Sequence, residues 1–176
     1  EITSSPVIED NAVFFYSSDD RVTALDLKTG DKLWSYSMPA FHSMSQRTDS
    51  SPALWGRKLY QVFSDNTLVC IDASSGRELW SKKASVESAG NGKTRTTPLV
   101  LGSKVYVIDK SGAVAAFDAE TGSEAGLYNV IKADDFVISG GKNLIIAGRE
   151  QAAAVDMNTG FILWSRELKH GRTSSV

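Results

Sequence analysis

A short phrase recurs four times along the chain and limits what it can fold into. It runs Asp26-Leu27-Lys28-Thr29-Gly30 with Leu33-Trp34, then Asp72-Ala73-Ser74-Ser75-Gly76 with Leu79-Trp80. It returns as Asp118-Ala119-Glu120-Thr121-Gly122 and as Asp156-Met157-Asn158-Thr159-Gly160 with Leu163-Trp164. Successive aspartates stand 46, 46 and 38 residues apart, a period that belongs to stacked or circular repeats rather than to one globular core.

Each repeat divides into the same four pieces. In the first, Ser5-Pro6-Val7-Ile8 is a short apolar run and Ala12-Val13-Phe14-Phe15-Tyr16 is β-branched and aromatic, while Val22-Thr23-Ala24-Leu25-Asp26 and Lys32-Leu33-Trp34-Ser35-Tyr36 alternate. These are strand signals, separated by turn signals, and no segment carries a helical period. The Asp-x-x-Thr/Ser-Gly phrase sits between the third and fourth strands. Its glycine suits the positive φ of a short hairpin loop, and its aspartate and threonine oxygens can accept bonds from the turn's own N–H groups. The four repeated aspartates therefore read as turn formers rather than as a charged ring.

Four antiparallel strands repeated at this period predict an all-β fold, a β-propeller of four-stranded antiparallel blades with four blades present. The expected blades are 3–48, 49–94, 95–132 and 133–172, with 173–176 beginning a further one. Pro6, Pro52 and Pro98 each precede their aspartate by twenty residues, and Thr3-Ser4-Ser5-Pro6 is echoed by Thr173-Ser174-Ser175-Val176. On that phase the chain is expected to be part of a seven- or eight-bladed propeller, with remaining blades beside it.

The tryptophan eight residues after the aspartate is expected on the outer strand, sealing one blade against the next. In the third repeat that position is Gly126, and Tyr128, on the same strand face two residues on, is the expected substitute. That blade should be the weakest. Trp55 follows Pro52-Ala53-Leu54 and does not fit the docking position.

The links from one aspartate to the next blade's first strand span 26, 26, 18 and 20 residues. The two long ones contain Met38-Pro39-Ala40-Phe41-His42-Ser43-Met44-Ser45-Gln46-Arg47 and Ala84-Ser85-Val86-Glu87-Ser88-Ala89-Gly90-Asn91-Gly92-Lys93. Loops on a rigid scaffold are where binding residues collect.

Nineteen basic and twenty-one acidic residues among 176 give a net charge of −2, so no global field favours nucleic acid or an anionic membrane. No stretch reaches the roughly 20 apolar residues of a helical membrane span. The single cysteine, Cys70, excludes an internal disulfide or a Cys-x-x-Cys pair and lies in the apolar run Leu68-Val69-Cys70-Ile71. Asp19-Asp20 and Asp134-Asp135 are the only adjacent aspartate pairs, and a calcium site would need further oxygens converging on either. His42, beside Phe41, reads as a loop contact; with His170 it makes two histidines in different links, a poor metal set. Gly90-Asn91-Gly92-Lys93 lacks the phosphate-loop frame and reads as a flexible linker. No catalytic residue, metal site or cofactor is expected.

The phrase Ala24-x-Asp26-x-x-Thr29-Gly30-x-x-x-Trp34 and its relatives resemble the tryptophan-docking repeat of the quinoprotein-like (PQQ-like) propellers, over essentially the whole chain. That family includes quinone-dependent dehydrogenases, scaffolds and sensor ectodomains. Asp135-Phe136-Val137-Ile138, Ala154-x-Asp156, Leu163-Trp164 and Met38-Pro39 before a serine-rich loop, Arg47 and Ser51-Pro52 are similar to its outer-membrane barrel-assembly branch. The resemblance implies a non-catalytic, eight-bladed scaffold in the periplasm at the outer membrane, binding the central subunit of a barrel-assembly complex. It implies partner contacts through the segment Ser43-Met44-Ser45-Gln46-Arg47, with Met44 and Arg47 foremost and Phe41 nearby. Lys93 and Arg95, before Thr96-Thr97-Pro98, stand where that branch carries acids, a reversal of charge at the same place. The alternatives are a part of a quinone-dependent dehydrogenase, whose vicinal cysteine pair these blades lack, and a ligand- or protein-sensing ectodomain.

Overall fold

The runs of β-branched and aromatic residues form sixteen strands among the described residues of the computed structural model, grouped as four four-stranded sheets. The structure describes residues 2, 4–38, 50–84, 97–108, 112–128, 130–131, 133, 135–139, 142–148 and 150–168. The first blade comprises β1 (Val7–Glu9), β2 (Ala12–Ser17), β3 (Arg21–Asp26) and β4 (Lys32–Ser37). The second comprises β5 (Ala53–Trp55), β6 (Lys58–Val62), β7 (Thr67–Asp72) and β8 (Glu78–Lys83). The third holds β9 (Leu99–Leu101), β10 (Lys104–Ile108), β11 (Val114–Asp118) and β12 (Glu124–Tyr128), and the fourth β13 (Asp135–Ser139), β14 (Asn143–Ala147), β15 (Gln151–Asp156) and β16 (Ile162–Glu167). Every sheet is an antiparallel meander in chain order.

All four blades share one irregularity. The register between third and fourth strands shifts at Ala24/Leu25, Cys70/Ile71, Ala116/Phe117 and Ala154/Val155. Such a bulge bends a strand and re-aims its side chains. Beyond it, Trp34, Trp80 and Trp164 pair with Ala24, Cys70 and Ala154, while Gly126 takes the same place opposite Ala116.

The first strands of neighbouring blades approach each other, β1 with β5 and β5 with β9, which puts them toward the common axis and the fourth strands outside. A ladder of hydroxyls joins them there. The N–H of Ser5 donates to Ser51 Oγ at 2.9 Å, and the N–H of Ser51 donates to Thr97 Oγ1 at 3.1 Å.

Side chains of β2 and β3 alternate between two faces, so each blade has an apolar front and back. The front of the first blade (Phe14, Tyr16, Val22, Ala24) packs on the back of the second (Leu59, Val69, Ile71). Tyr60, Val62, Leu68 and Cys70 of the second meet Val105, Val107, Ala115 and Phe117 of the third. Tyr106, Ile108, Val114 and Ala116 of the third meet Leu144, Ile146, Ala153 and Val155 of the fourth. The core is thus three inter-blade layers.

Candidate functional site

The Asp-x-x-Thr/Ser-Gly turns are built identically. Asp26 Oδ1 accepts the N–H groups of Lys28 and Thr29 at 2.8 and 2.9 Å, and Asp72 Oδ1 those of Ser74 and Ser75 at 3.0 and 2.9 Å. Asp118 accepts from Glu120 and Thr121 at 3.0 and 2.9 Å, and Asp156 from Asn158 and Thr159, both at 2.9 Å. Each closing glycine, Gly30, Gly76, Gly122 and Gly160, has φ between +69° and +74° and donates its N–H to the aspartate carbonyl. Bonds to the ionised form hold these carboxyls below their ordinary range. Asp72 is brought to about 2, chiefly by the Ser74 hydroxyl.

These turns also receive the preceding blade. A β-carbon on Gly76 would stand 2.7 Å from the indole of Trp34, and one on Gly122 2.7 Å from that of Trp80. The same indoles donate from Nε1 to the carbonyls of Ala73 at 3.0 Å and Ala119 at 3.2 Å, one residue past each aspartate. The absence of a side chain at the glycine makes the landing site, and the turn's carbonyl orients the ring. Tyr60, 5.9 Å from Trp80 between ring centroids, donates its hydroxyl to the same Ala119 carbonyl at 3.0 Å.

The third blade reaches this arrangement by another route. Tyr128 leans back over Gly126, where a β-carbon would lie 3.5 Å from its ring, and onto Gly160, where one would lie 3.6 Å away. The empty side of Gly126 is what lets a residue two places further along occupy the tryptophan's space. Tyr106 lies against Tyr128 with centroids 6.2 Å apart.

On the rim opposite the aspartate turns, polar bonds fasten the points from which the long links leave. Asp20, at φ +60°, accepts the hydroxyl of Tyr16 and, across the blade boundary, the N–H of Ser64 at 3.1 Å together with its hydroxyl. Asp19 accepts from Ser17 and pairs with Arg21 at 3.1 Å. Ala84, at the start of the second link, donates its N–H to the Asn66 carbonyl at 3.0 Å, and Lys83 pairs with Asp65 at 2.6 Å. Buried Gln61 donates to Ser50 Oγ at 3.0 Å where the first link rejoins the sheet. The loop positions Phe41, Met44, Arg47, Lys93 and Arg95 lie outside the described residues, as do His42, His170 and Gly90-Asn91-Gly92-Lys93.

Among the described residues, no group of three or more His, Cys, Asp or Glu side chains is arranged to hold a metal ion. No described helix is long and apolar enough to cross a membrane. Cys70 is fully buried, and burial pushes its thiol up to about 12. Trp55 is partly buried against the layer between the second and third blades. An open cleft of about 180 Å³ lies between the first two aspartate turns, lined by Asn11, Asp26, Leu33, Arg57 and Ser74 among others.

Two features have no counterpart in the sequence reading: the glycine as landing site, and the hydroxyl ladder. The ladder had a signal, since Ser5, Ser51 and Thr97 each stand immediately before a proline at intervals of 46 residues.

Four four-stranded meanders, each closed by an Asx-type turn and the first three docked by an aromatic ring on the next blade's glycine, define a quinoprotein-like β-propeller. The family profile described as outer membrane protein assembly factor BamB matches residues 1–166, and the chain belongs to that family. A search of curated protein sequences returned no match. Among solved structures, BamB from Moraxella catarrhalis is similar, at 20% identity and TM-score 0.72 over 92% of this chain and 50% of that one. Quinohemoprotein alcohol dehydrogenase from Comamonas testosteroni is similar at 18% identity and TM-score 0.81, over 94% and 35%. The computationally designed Ika8 protein is similar at 17% identity and TM-score 0.68, over 92% and 48%. The chain therefore spans half the length or less of these solved chains. At such identities the likeness is one of fold.

Proposed function

We propose that these blades are a non-catalytic, protein-binding scaffold that supports outer-membrane β-barrel assembly through the inter-blade loops, in the periplasm at the outer membrane. The observation that carries this reading is the fixing of the two long links at their roots. Each springs from a rim held by hydrogen bonds, and the blades beneath are joined by continuous buried layers. A rigid base lowers the entropy lost when a loop binds. Membership of the BamB family supports a partner within a barrel-assembly complex. Met44 and Arg47, with Phe41, form the proposed apolar and cationic contact, and Lys93 and Arg95 a second cationic one.

The test is capture of the central barrel-assembly subunit by the chain and by its Met44→Asp and Arg47→Glu variants. Loss of capture with an unchanged circular dichroism spectrum is expected, and full capture by both variants would sink the site. The dehydrogenase reading, favoured only by the fold likeness to the quinohemoprotein enzyme, predicts calcium-dependent dye reduction after reconstitution with the quinone.

A further inference from the structure

The dock between the first two blades contains a vacancy that the next dock fills from its own chain. Between the second and third blades the Lys58 side chain, only 16% exposed, crosses the groove beside the indole to pair with Glu120. The Tyr60 hydroxyl gives the Ala119 carbonyl a second donor beside Trp80. In the first blade the register puts Ala12 and Phe14 at the positions of Lys58 and Tyr60, so both polar groups are missing. What remains there is the open cleft of about 180 Å³, and the Ala73 carbonyl on its wall receives only the Trp34 indole. Every residue lining the cleft is a described one from the first or second blade.

The negative charge of the groove has also changed walls. Ser74 stands where the third blade carries Glu120, two residues past the turn aspartate, while Glu9 and Asp10 stand where the second blade carries Trp55 and Gly56. With Asp26, three carboxylates line the cleft against the one guanidinium of Arg57. Among the described residues, the side chains of Glu9, Asp10 and Arg57 take part in no ion pair. Leu33, on the same lining, is 52% exposed, whereas its counterpart Leu79 packs against the buried layer. A space of about 150 Å³ holds a benzene molecule, so the cleft has room for one side chain. An apolar wall, a carbonyl with an unshared lone pair and an excess of carboxylates together fit an ammonium on an aliphatic stem.

We propose that this cleft takes a lysine side chain of a partner protein, the stem lying against Leu33 and Phe14 and the ammonium donating to the Ala73 carbonyl among the carboxylates. The partner thereby supplies what Lys58 supplies to the next groove. The cleft is on the rim of the aspartate turns, opposite the long links, so this contact holds whether or not those links bind a barrel-assembly subunit. Its strength should fall with added salt, which screens the ammonium from Glu9, Asp10 and Asp26.

Titration of the ¹⁵N-labelled chain with N-acetyl-lysine N-methylamide tests the proposal, read from amide chemical shifts. Saturable shifts at Asn11, Ala73 and Ser74 are expected, with binding at least fivefold weaker for the norleucine analogue, which has the stem without the ammonium. Ala12→Lys should fill the cleft from within, as Lys58 fills its own groove, and abolish the shifts. If that variant fails to fold, Glu9→Gln combined with Asp10→Asn probes the same wall and should weaken binding at least threefold; asparagine tolerates the φ of +52° at position 10. Arg57→Ala, which removes the like charge, should strengthen it. Absence of saturable shifts overturns the proposal, as does equal affinity for the norleucine analogue or binding that survives the changes at Ala12, Glu9 and Asp10. Preferential binding of N-acetyl-aspartate N-methylamide would overturn it too, by giving the cleft to Arg57 and an acidic partner.

Discussion

Cys70 lies across the β7–β8 ladder from Trp80, and both belong to the buried layer between the second and third blades. With its thiol pushed up to about 12 by burial, Cys70 reacts only when that layer opens. A disulfide reagent at pH 8 should label the native chain slowly and the Trp80→Ala variant at least tenfold faster. Equal rates for the two would contradict the indole's part in sealing the layer.

The docks differ in burial, and stability should follow. Trp80→Ala is expected to cost roughly 3–5 kcal/mol in urea unfolding. Trp164→Ala should cost less than about 1 kcal/mol, because its ring is 41% exposed among the described residues.

The landing glycines allow a comparison that separates strain from collision. Gly30→Ala carries only the left-handed backbone penalty of about 1–2 kcal/mol. Gly122→Ala carries the same penalty and sets a methyl group 2.7 Å from the Trp80 ring, which adds about 1–3 kcal/mol of overpacking. Equal losses at the two positions would mean that the indole moves aside freely.

The aspartate turns set a direction for acid unfolding. The folded-state pKa of Asp72 is about 2 against an ordinary 3.8, so its ionised form contributes stability that is complete above pH 4 and is lost as pH falls toward 2. The group is exposed, which keeps the effect small. Asp72→Asn retains an acceptor oxygen for the turn but has no charge to titrate. Its urea midpoint should therefore fall less between pH 5 and pH 2.5 than that of the unaltered chain.

The dock between the third and fourth blades uses a tyrosine in looser contact than either indole. Hydrogen exchange should show β14 and β15 losing protection before β6 and β7. The reverse order would place the weak joint elsewhere.

Much of this was legible in the repeated phrase. Its spacing, with the apolar runs before it, located the blades and the meander, because turn chemistry and strand alternation are local properties of the chain. Tyr128 could be placed on the correct strand face from period alone. The second role of Gly76 and Gly122 was hidden, because a hairpin glycine is sufficiently explained by its φ. The bulge at Cys70/Ile71, which aims Trp80, leaves no trace in residue type. The candidate loop contacts, Met44 and Arg47 among them, rested on resemblance, since a binding surface is fixed by its partner as well as by its own chain.

The hydroxyl ladder separates two kinds of change that evolution can make. Ser5, Ser51 and Thr97 fix the first three blades to one another at the axis, and the indoles of Trp34 and Trp80 fix them again on the outside. A link between blades is consequently free to lengthen, shorten or exchange its residues without displacing the sheets it joins. Recognition can diversify in such a chain while its architecture stays still.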